Sequence, residues 1–284
     1  MSAGLPTSLL VCAIGTTTVA TSWAVGGAVE TMRDFQNSSP SFRVSETVQS
    51  FVTRGEAAFR NGRYEEAVSD YTTALSRQSP SDRKVMAAIY ARRCGALLYL
   101  NRFDKAFPDA NSAIALDPEL FNPYEQRGLI YRVRGQLDDA IRDYTTAIRL
   151  NPRAFMAFNN RGVAYNHKRQ YERAIRDFDD AIRVNPNYAN AYMNRGTSYQ
   201  ALRQFNRAIA DYTEAIRRDS RVENAHYNRA TLYYFLRDYD RALIDLDEAI
   251  RRNGDPDAYA LRAKIVSGKK QREPNRSPGG GRGE

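Results

Sequence analysis

The chain has 284 residues, 42% of them apolar, and a net charge of +9 from 42 basic and 33 acidic side chains. Its two cysteines exclude a disulfide framework, and its two histidines, His167 and His226, stand too far apart to suggest a metal cluster. The positive excess fits either a solvated basic rim or attraction to acidic proteins, anionic lipid or nucleic acid.

Residues 1–29 carry no charged side chain. Leu9 to Gly15 is an apolar run, and the small residues Ser22 and Ala24 follow at cleavage spacing, so this segment reads as a signal peptide. The stretch from Leu9 to Val29 also has the length of a membrane anchor. The basic leader of a signal peptide is missing. Either reading makes the protein exported, periplasmic or membrane-anchored; the alternative is a cytoplasmic protein. Residues 30–47, polar with Ser38-Ser39-Pro40-Ser41, read as a linker.

From Val48 onward the chain repeats itself. Gly128, Gly162, Gly196 and Ala230 fall 34 residues apart, and each is followed by alanine twelve residues on (Ala140, Ala174, Ala208, Ala242) and again seven beyond that (Ala147, Ala181, Ala215, Ala249). The frame extends back to Cys94 and Gly55 and forward to Ala263, giving units at 48–80, 87–120, 121–154, 155–188, 189–222 and 223–256. A period of this length means stacked supersecondary units. Within one unit, Phe158, Val163 and Tyr165 are apolar at helical spacing, a polar break follows, and Tyr171, Ala174, Ile175, Phe178, Ala181 and Ile182 form a second stripe before Asn185-Pro186. Each unit is therefore two helices. Residues 257–268 predict one more helix, capping the last pair. Residues 269–284 lack apolar side chains and predict a disordered basic tail. Extra residues around Ser79 to Lys84 lengthen the first step, and Pro108 should remove a backbone bond from its helix.

Phe158, Gly162, Tyr165, Ala174, Phe178, Ala181 and Pro186 make the pattern similar to the tetratricopeptide repeat, over about Val48 to Gly268, in a style that looks bacterial. The resemblance implies an all-α fold of the α-α superhelix class: a right-handed solenoid of antiparallel helix pairs, six repeats plus a C-terminal capping helix, with first helices lining a concave groove. It also implies a non-catalytic scaffold that binds a protein or peptide there. Some relatives clamp an acidic C-terminus, but here the clamp positions hold Val52, Glu56, Arg92, Asn122 and Gln126, and Glu56 would repel a carboxylate.

Two sets of columns carry further expectations. Arginine precedes the small column in every full unit (Arg54, Arg93, Arg127, Arg161, Arg195, Arg229), and aspartate recurs sixteen residues later (Asp70, Asp109, Asp143, Asp177, Asp211, Asp245). Charges matched this strictly predict structural salt bridges between paired helices, the other reading being an arginine ladder for an anion. The groove column reads Gln126, Asn160, Asn194 and Asn228. Carboxamides both donate to and accept from a peptide backbone, although solvated asparagines would look the same in sequence. Tyr227, Tyr234 and Met193, with Met156 and Phe235, are expected to project into the groove; packing against the terminal helix is the alternative for the aromatics. No cofactor, metal, small-molecule substrate or catalytic residue is expected, because Ser, His and Cys are scattered and the carboxylates are committed to repeat columns. Acidic proteins suit the net charge, no base-stacking motif supports nucleic acid, and membrane contact would come only through the N-terminal segment. Anionic-surface binding through basic residues is the alternative function.

Overall fold

The computed structural model describes residues 46–79, 81–222 and 224–272, and the segments read as signal peptide, linker and most of the tail lie outside them. All regular structure among the described residues is helical, in thirteen helices. No described helix is long and apolar enough to cross a membrane. The chain divides into two compact units between Lys168 and Arg169.

The first unit contains α1 (Glu46–Arg60), α2 (Tyr64–Arg77), α3 (Arg83–Tyr99), α4 (Phe103–Leu116), α5 (Phe121–Val133), α6 (Leu137–Leu150) and α7 (Phe155–His167). Each helix packs on the next, and among the first helices α3 touches α5 and α5 touches α7. The longer first step appears as one extra turn at the start of α3. Pro108 lies within α4 and does not end it. As the sixth residue of the helix, the proline withholds the N–H that would otherwise reach the Asp104 carbonyl, so the expected backbone bond is lost.

The second unit contains α8 (Tyr171–Val184), α9 (Ala189–Ala201), α10 (Phe205–Arg218), α11 (Ala225–Phe235), α12 (Tyr239–Asn253) and α13 (Pro256–Arg272). Here too each helix packs on the next. The capping helix α13 runs four residues past the expected end at Gly268. Lys269 to Arg272 are good helix formers that continue a helix already nucleated.

The turn between paired helices has one solution in every repeat. Gly62, Asn101, Gly135, Arg169, Arg203 and Arg237 all have left-handed φ, between 55° and 75°. At Gly135 the turn closes with bonds from Gly135 N–H to the Arg132 carbonyl and from Gln136 N–H to the Tyr131 carbonyl, and Arg203 and Gln204 repeat the pattern. Glycine takes this conformation freely, whereas three arginines adopt it against a cost of about 1–2 kcal/mol each. Second helices end differently. Asn151, Asn185 and Asp219 go extended, and each side-chain oxygen accepts the N–H two residues on. Asp219 makes this turn without the closing proline, so Ser220 is accommodated.

The small columns set how closely the helices approach. A Cβ added at Gly55, Gly128 or Gly196 would stand 2.7–2.8 Å from a ring carbon of Tyr71, Tyr144 or Tyr212, each on the second helix of the same pair. Those rings are fully buried, as are the alanines around them.

Candidate interaction face

Four of the repeat arginines, Arg93, Arg127, Arg195 and Arg229, each hold two neighbours. Arg93, Arg127, Arg195 and Arg229 use Nε and Nη2 to grip both oxygens of Asp109, Asp143, Asp211 and Asp245, at 2.7–2.9 Å. Arg54 grips Asp70 likewise. The third nitrogen, Nη1, reaches back to the preceding second helix: Arg93 to Thr72, Arg127 to Asn111, Arg161 to Thr145, Arg195 to Asp179 and Arg229 to Thr213. The sequence reading found the forward partner and missed the backward one. Arg161 lies in the first unit and Asp177, buried, in the second. With both sides of the fork occupied by protein, the guanidiniums of Arg93, Arg127, Arg195 and Arg229 are structural and not an open ladder for an anion.

Burial and pairing tune the carboxylates in opposite directions. At Asp211 desolvation outweighs the bond from Arg195, which Asp179 shares, and the pKa rises. At Asp245 desolvation also pushes upward, but bonds from Arg229 and His226 overcome it and the pKa falls. His226 Nδ1 lies 3.2 Å from Asp245 Oδ1.

The carboxamide column is not a uniform row of projecting rungs. Gln126 donates through Nε2 to the Ala91 carbonyl at 3.0 Å, and its Oε1 is buried without a hydrogen-bond partner. Asn160 is half-buried, with Oδ1 3.4 Å from Asn159 Nδ2. Asn194 is 5% exposed and Met193 4%, so both pack inside. Asn228 is half-buried, its Nδ2 4.0 Å from Met193 Sδ. Met156 is buried as well. The accessible carboxamide surface therefore centres on Asn160 in one unit and Asn228 in the other.

The aromatics at the C-terminal end divide. Tyr227 and Tyr234 pack on the cluster of Ala230, Ala242, Leu246, Ala258 and Ile265. Tyr234 lies under Lys264 of α13, 5.5 Å from Nζ to ring centre, which is the terminal-helix packing considered as the alternative. Phe235 is exposed and makes an edge contact with Phe205 at 4.9 Å.

An ion pair joins neighbouring first helices of the N-terminal unit. Arg92 Nε donates to Glu56 Oε1 at 2.8 Å, so the one cation at the clamp positions is neutralised by the neighbouring helix. Tyr144, lying over Gly128, has its hydroxyl buried beside Arg132, and burial pushes its pKa up to about 12. Burial, with the charge of Arg132, also lowers His167 and favours its neutral form. Part of the basic rim is paired: Arg183 with Asp180, both Arg217 and Arg218 with Glu214, and both Arg251 and Arg252 with Glu248. Among the described residues no three of His, Cys, Asp and Glu converge as a metal site requires. Cys94 is buried, and desolvation raises its thiol pKa well above the ordinary value.

Family models described as tetratricopeptide repeat match residues 52–120, 126–191 and 167–199, with further matches at 189–221 and 223–256. A DnaJ homolog subfamily C member 7 homolog of Dictyostelium discoideum is 29% identical over 94 residues, 33% of this chain and 17% of that protein. The small glutamine-rich tetratricopeptide repeat-containing protein 2 of Saccharomyces cerevisiae is 35% identical over 83 residues, 29% of this chain and 22% of that protein. The chain thus spans under a quarter of the length of these relatives. Among solved structures, a tetratricopeptide repeat protein from Parabacteroides merdae aligns with TM-score 0.61 at 19% identity, covering 80% of this chain and 88% of that one. YrrB, described as a repeat protein with an unusual peptide-binding site, aligns with TM-score 0.52 at 20% identity, covering 70% and 97%. At these identities the likeness concerns the fold, all-α and of the superhelical repeat class.

Proposed function

We propose that this chain, which belongs to the tetratricopeptide repeat family, is a non-catalytic scaffold that holds a peptide or partner segment against the face of its first helices. The family's repeats are protein-interaction modules, and the finer assignment to this face rests on one observation. Asn160 and Asn228 keep part of their surface exposed, while Arg92 and Glu56 on neighbouring first helices pair with each other. Accessible carboxamides, with the Arg92 cation already taken by Glu56, suit a peptide backbone better than a terminal carboxylate. The net charge of +9 would act at longer range, favouring encounter with acidic partners. YrrB's peptide-binding site is a fold-level analogy in support.

The test is fluorescence anisotropy with peptides selected against the full chain from a random library. Each lost hydrogen bond is worth about 0.5–1.5 kcal/mol, so Asn160→Ala should weaken peptides held by the first unit, and Asn228→Ala those held by the second, by roughly two- to tenfold. Binding should persist when salt is raised. A steep salt dependence together with indifference to both substitutions would instead favour an anionic surface. Arg183, Arg217, Arg218, Arg251 and Arg252 share three carboxylates, so that rim is only partly neutralised and the salt series decides between the two readings.

Export is part of the same proposal and rests on the uncharged segment 1–29. Sequencing the N-terminus of the protein made from its own gene, in fractionated cells, tests it. An intact Met1 in the cytosolic fraction would sink both the cleaved-leader and the anchor versions.

A further inference from the structure

Helix α13 is the first half of a seventh unit. Tyr259, Arg262 and Ala263 repeat the aromatic, arginine and small columns that Tyr192, Arg195 and Gly196 occupy in α9. The back of α13 is engaged as in the other first helices: Arg262 Nε donates to Asp247 on α12, and Ala258 and Ile265 are buried with Leu246 and Ala249.

Its front is bare. In front of α9, helix α10 sets Asp211 on Arg195, lays Tyr212 over Gly196 and brings the Arg218 guanidinium to 3.9 Å from the Tyr192 ring centre. In the same alignment after α13, Pro278 and Gly279 stand where the carboxylate and the aromatic belong. The exposures follow. Tyr192 is 7% exposed and Tyr259 55%, while the side chain of Arg195 is 19% exposed and that of Arg262 43%.

We propose that the open face of α13 docks a helix of a partner protein bearing the pattern Ala-x-x-Asp-Leu-x-x-Ala-x-x-Arg. Charge complementarity and continuity with the chain's own interfaces argue for this occupant. The aspartate would supply the carboxylate that Arg262 lacks, and the arginine would stack on Tyr259 as Arg218 does on Tyr192 and Arg77 on Phe51. Leucine is specified because the small column and its partner trade volume. Gly55, Gly128 and Gly196 accept tyrosine, whereas Ala230, with its added methyl, accepts Leu246, and both of those are fully buried. Ala263 belongs to the second class. Helix α12 carries this pattern as Ala242, Asp245, Leu246, Ala249 and Arg252, and α10 carries the tyrosine version.

The probe is a fluorescein-labelled synthetic peptide with the sequence of residues 239–253, titrated into the full chain and read by anisotropy. Saturable binding is expected, weakened by about fivefold or more when Arg262→Ala is made in the chain or the peptide's Asp245 is replaced by asparagine. The peptide of residues 205–218 should bind more weakly, and Ala263→Gly should reverse that preference. Circular dichroism confirms that the variants, all on an exposed face, remain folded. No saturation up to about 1 mM, or affinity indifferent to Arg262→Ala, would overturn the proposal. Sedimentation showing that the chain dimerises through this face, with Tyr259→Glu dissociating it, would overturn the partner-helix reading in favour of a second copy. These outcomes are independent of whether the first-helix face binds peptide.

Discussion

Replacing Gly128 by alanine sets two known effects against each other. In an exposed helix interior the change stabilises by about 1 kcal/mol, because alanine has less backbone freedom to lose. Here the new methyl would stand 2.8 Å from Tyr144 Cε1 and 3.0 Å from Cδ1. Tyr144 is fully buried, so its ring cannot swing into solvent, and overpacking a filled core costs about 1–3 kcal/mol. The clash should win, leaving the variant less stable by about 0–2 kcal/mol. Two other units supply the control: Cys94 stands over Ala110 and Ala230 over Leu246, so a bulkier small column tracks a smaller partner. The double variant Gly128→Ala, Tyr144→Leu should therefore show favourable coupling of about 1–2 kcal/mol. Hydrogen exchange of the α5 and α6 amides is the suitable assay, since repeats open locally. Gly128→Ala that stabilises by the full propensity gain, with no coupling to Tyr144→Leu, would refute the packing argument.

Three further outcomes follow from the same geometry. Arg195→Met strands Asp211 and should cost about 3–5 kcal/mol in urea denaturation, whereas Arg63→Ala, which breaks the exposed pair with Glu66, should cost under about 1 kcal/mol. The two aspartates should respond to acid oppositely. The native pKa of Asp245 is depressed, so its contribution is present above the unfolded value near 3.8 and is lost as pH falls through the native value; Asp245→Asn should flatten that acid loss in a pH series of urea midpoints. The native pKa of Asp211 is raised, so its term weakens stability as pH rises above 3.8, and Asp211→Asn should lower the neutral-pH midpoint less than Asp245→Asn does. Finally, Arg203→Gly removes an unfavourable left-handed backbone at the cost of chain freedom. It should raise the melting temperature, corresponding to roughly 0.5–1 kcal/mol; a fall would show that the Arg203 side chain matters more than its φ.

The repeat frame was legible because every unit solves the same packing problem with the same residue type at the same position. The forward grip of Arg195 on Asp211 could be read for that reason. Its backward bond could not, because Thr72, Asn111, Thr145, Asp179 and Thr213 share an acceptor oxygen and not an identity. A search for any oxygen-bearing side chain two residues after the aspartate would have found that column. The carboxamide face was only partly legible, since Asn160 and Asn194 occupy equivalent positions and differ in burial through their neighbours. Tyr234 depended on where α13 comes to rest, and Lys264 covers it in a way no local pattern announces. The left-handed turns at Arg169, Arg203 and Arg237 run against intrinsic preference, so only their alignment with Gly62 and Gly135 signals them.

The three-way arginine makes each helix pair a board with a tongue on one edge and a slot on the other. The slot accepts threonine, asparagine or aspartate alike, so it does not discriminate between neighbours. Gene duplication could therefore lengthen or shorten the array by whole boards without redesigning a joint. A transplanted pair would fit at any internal place, whereas one cut out of phase would lose both edges at once.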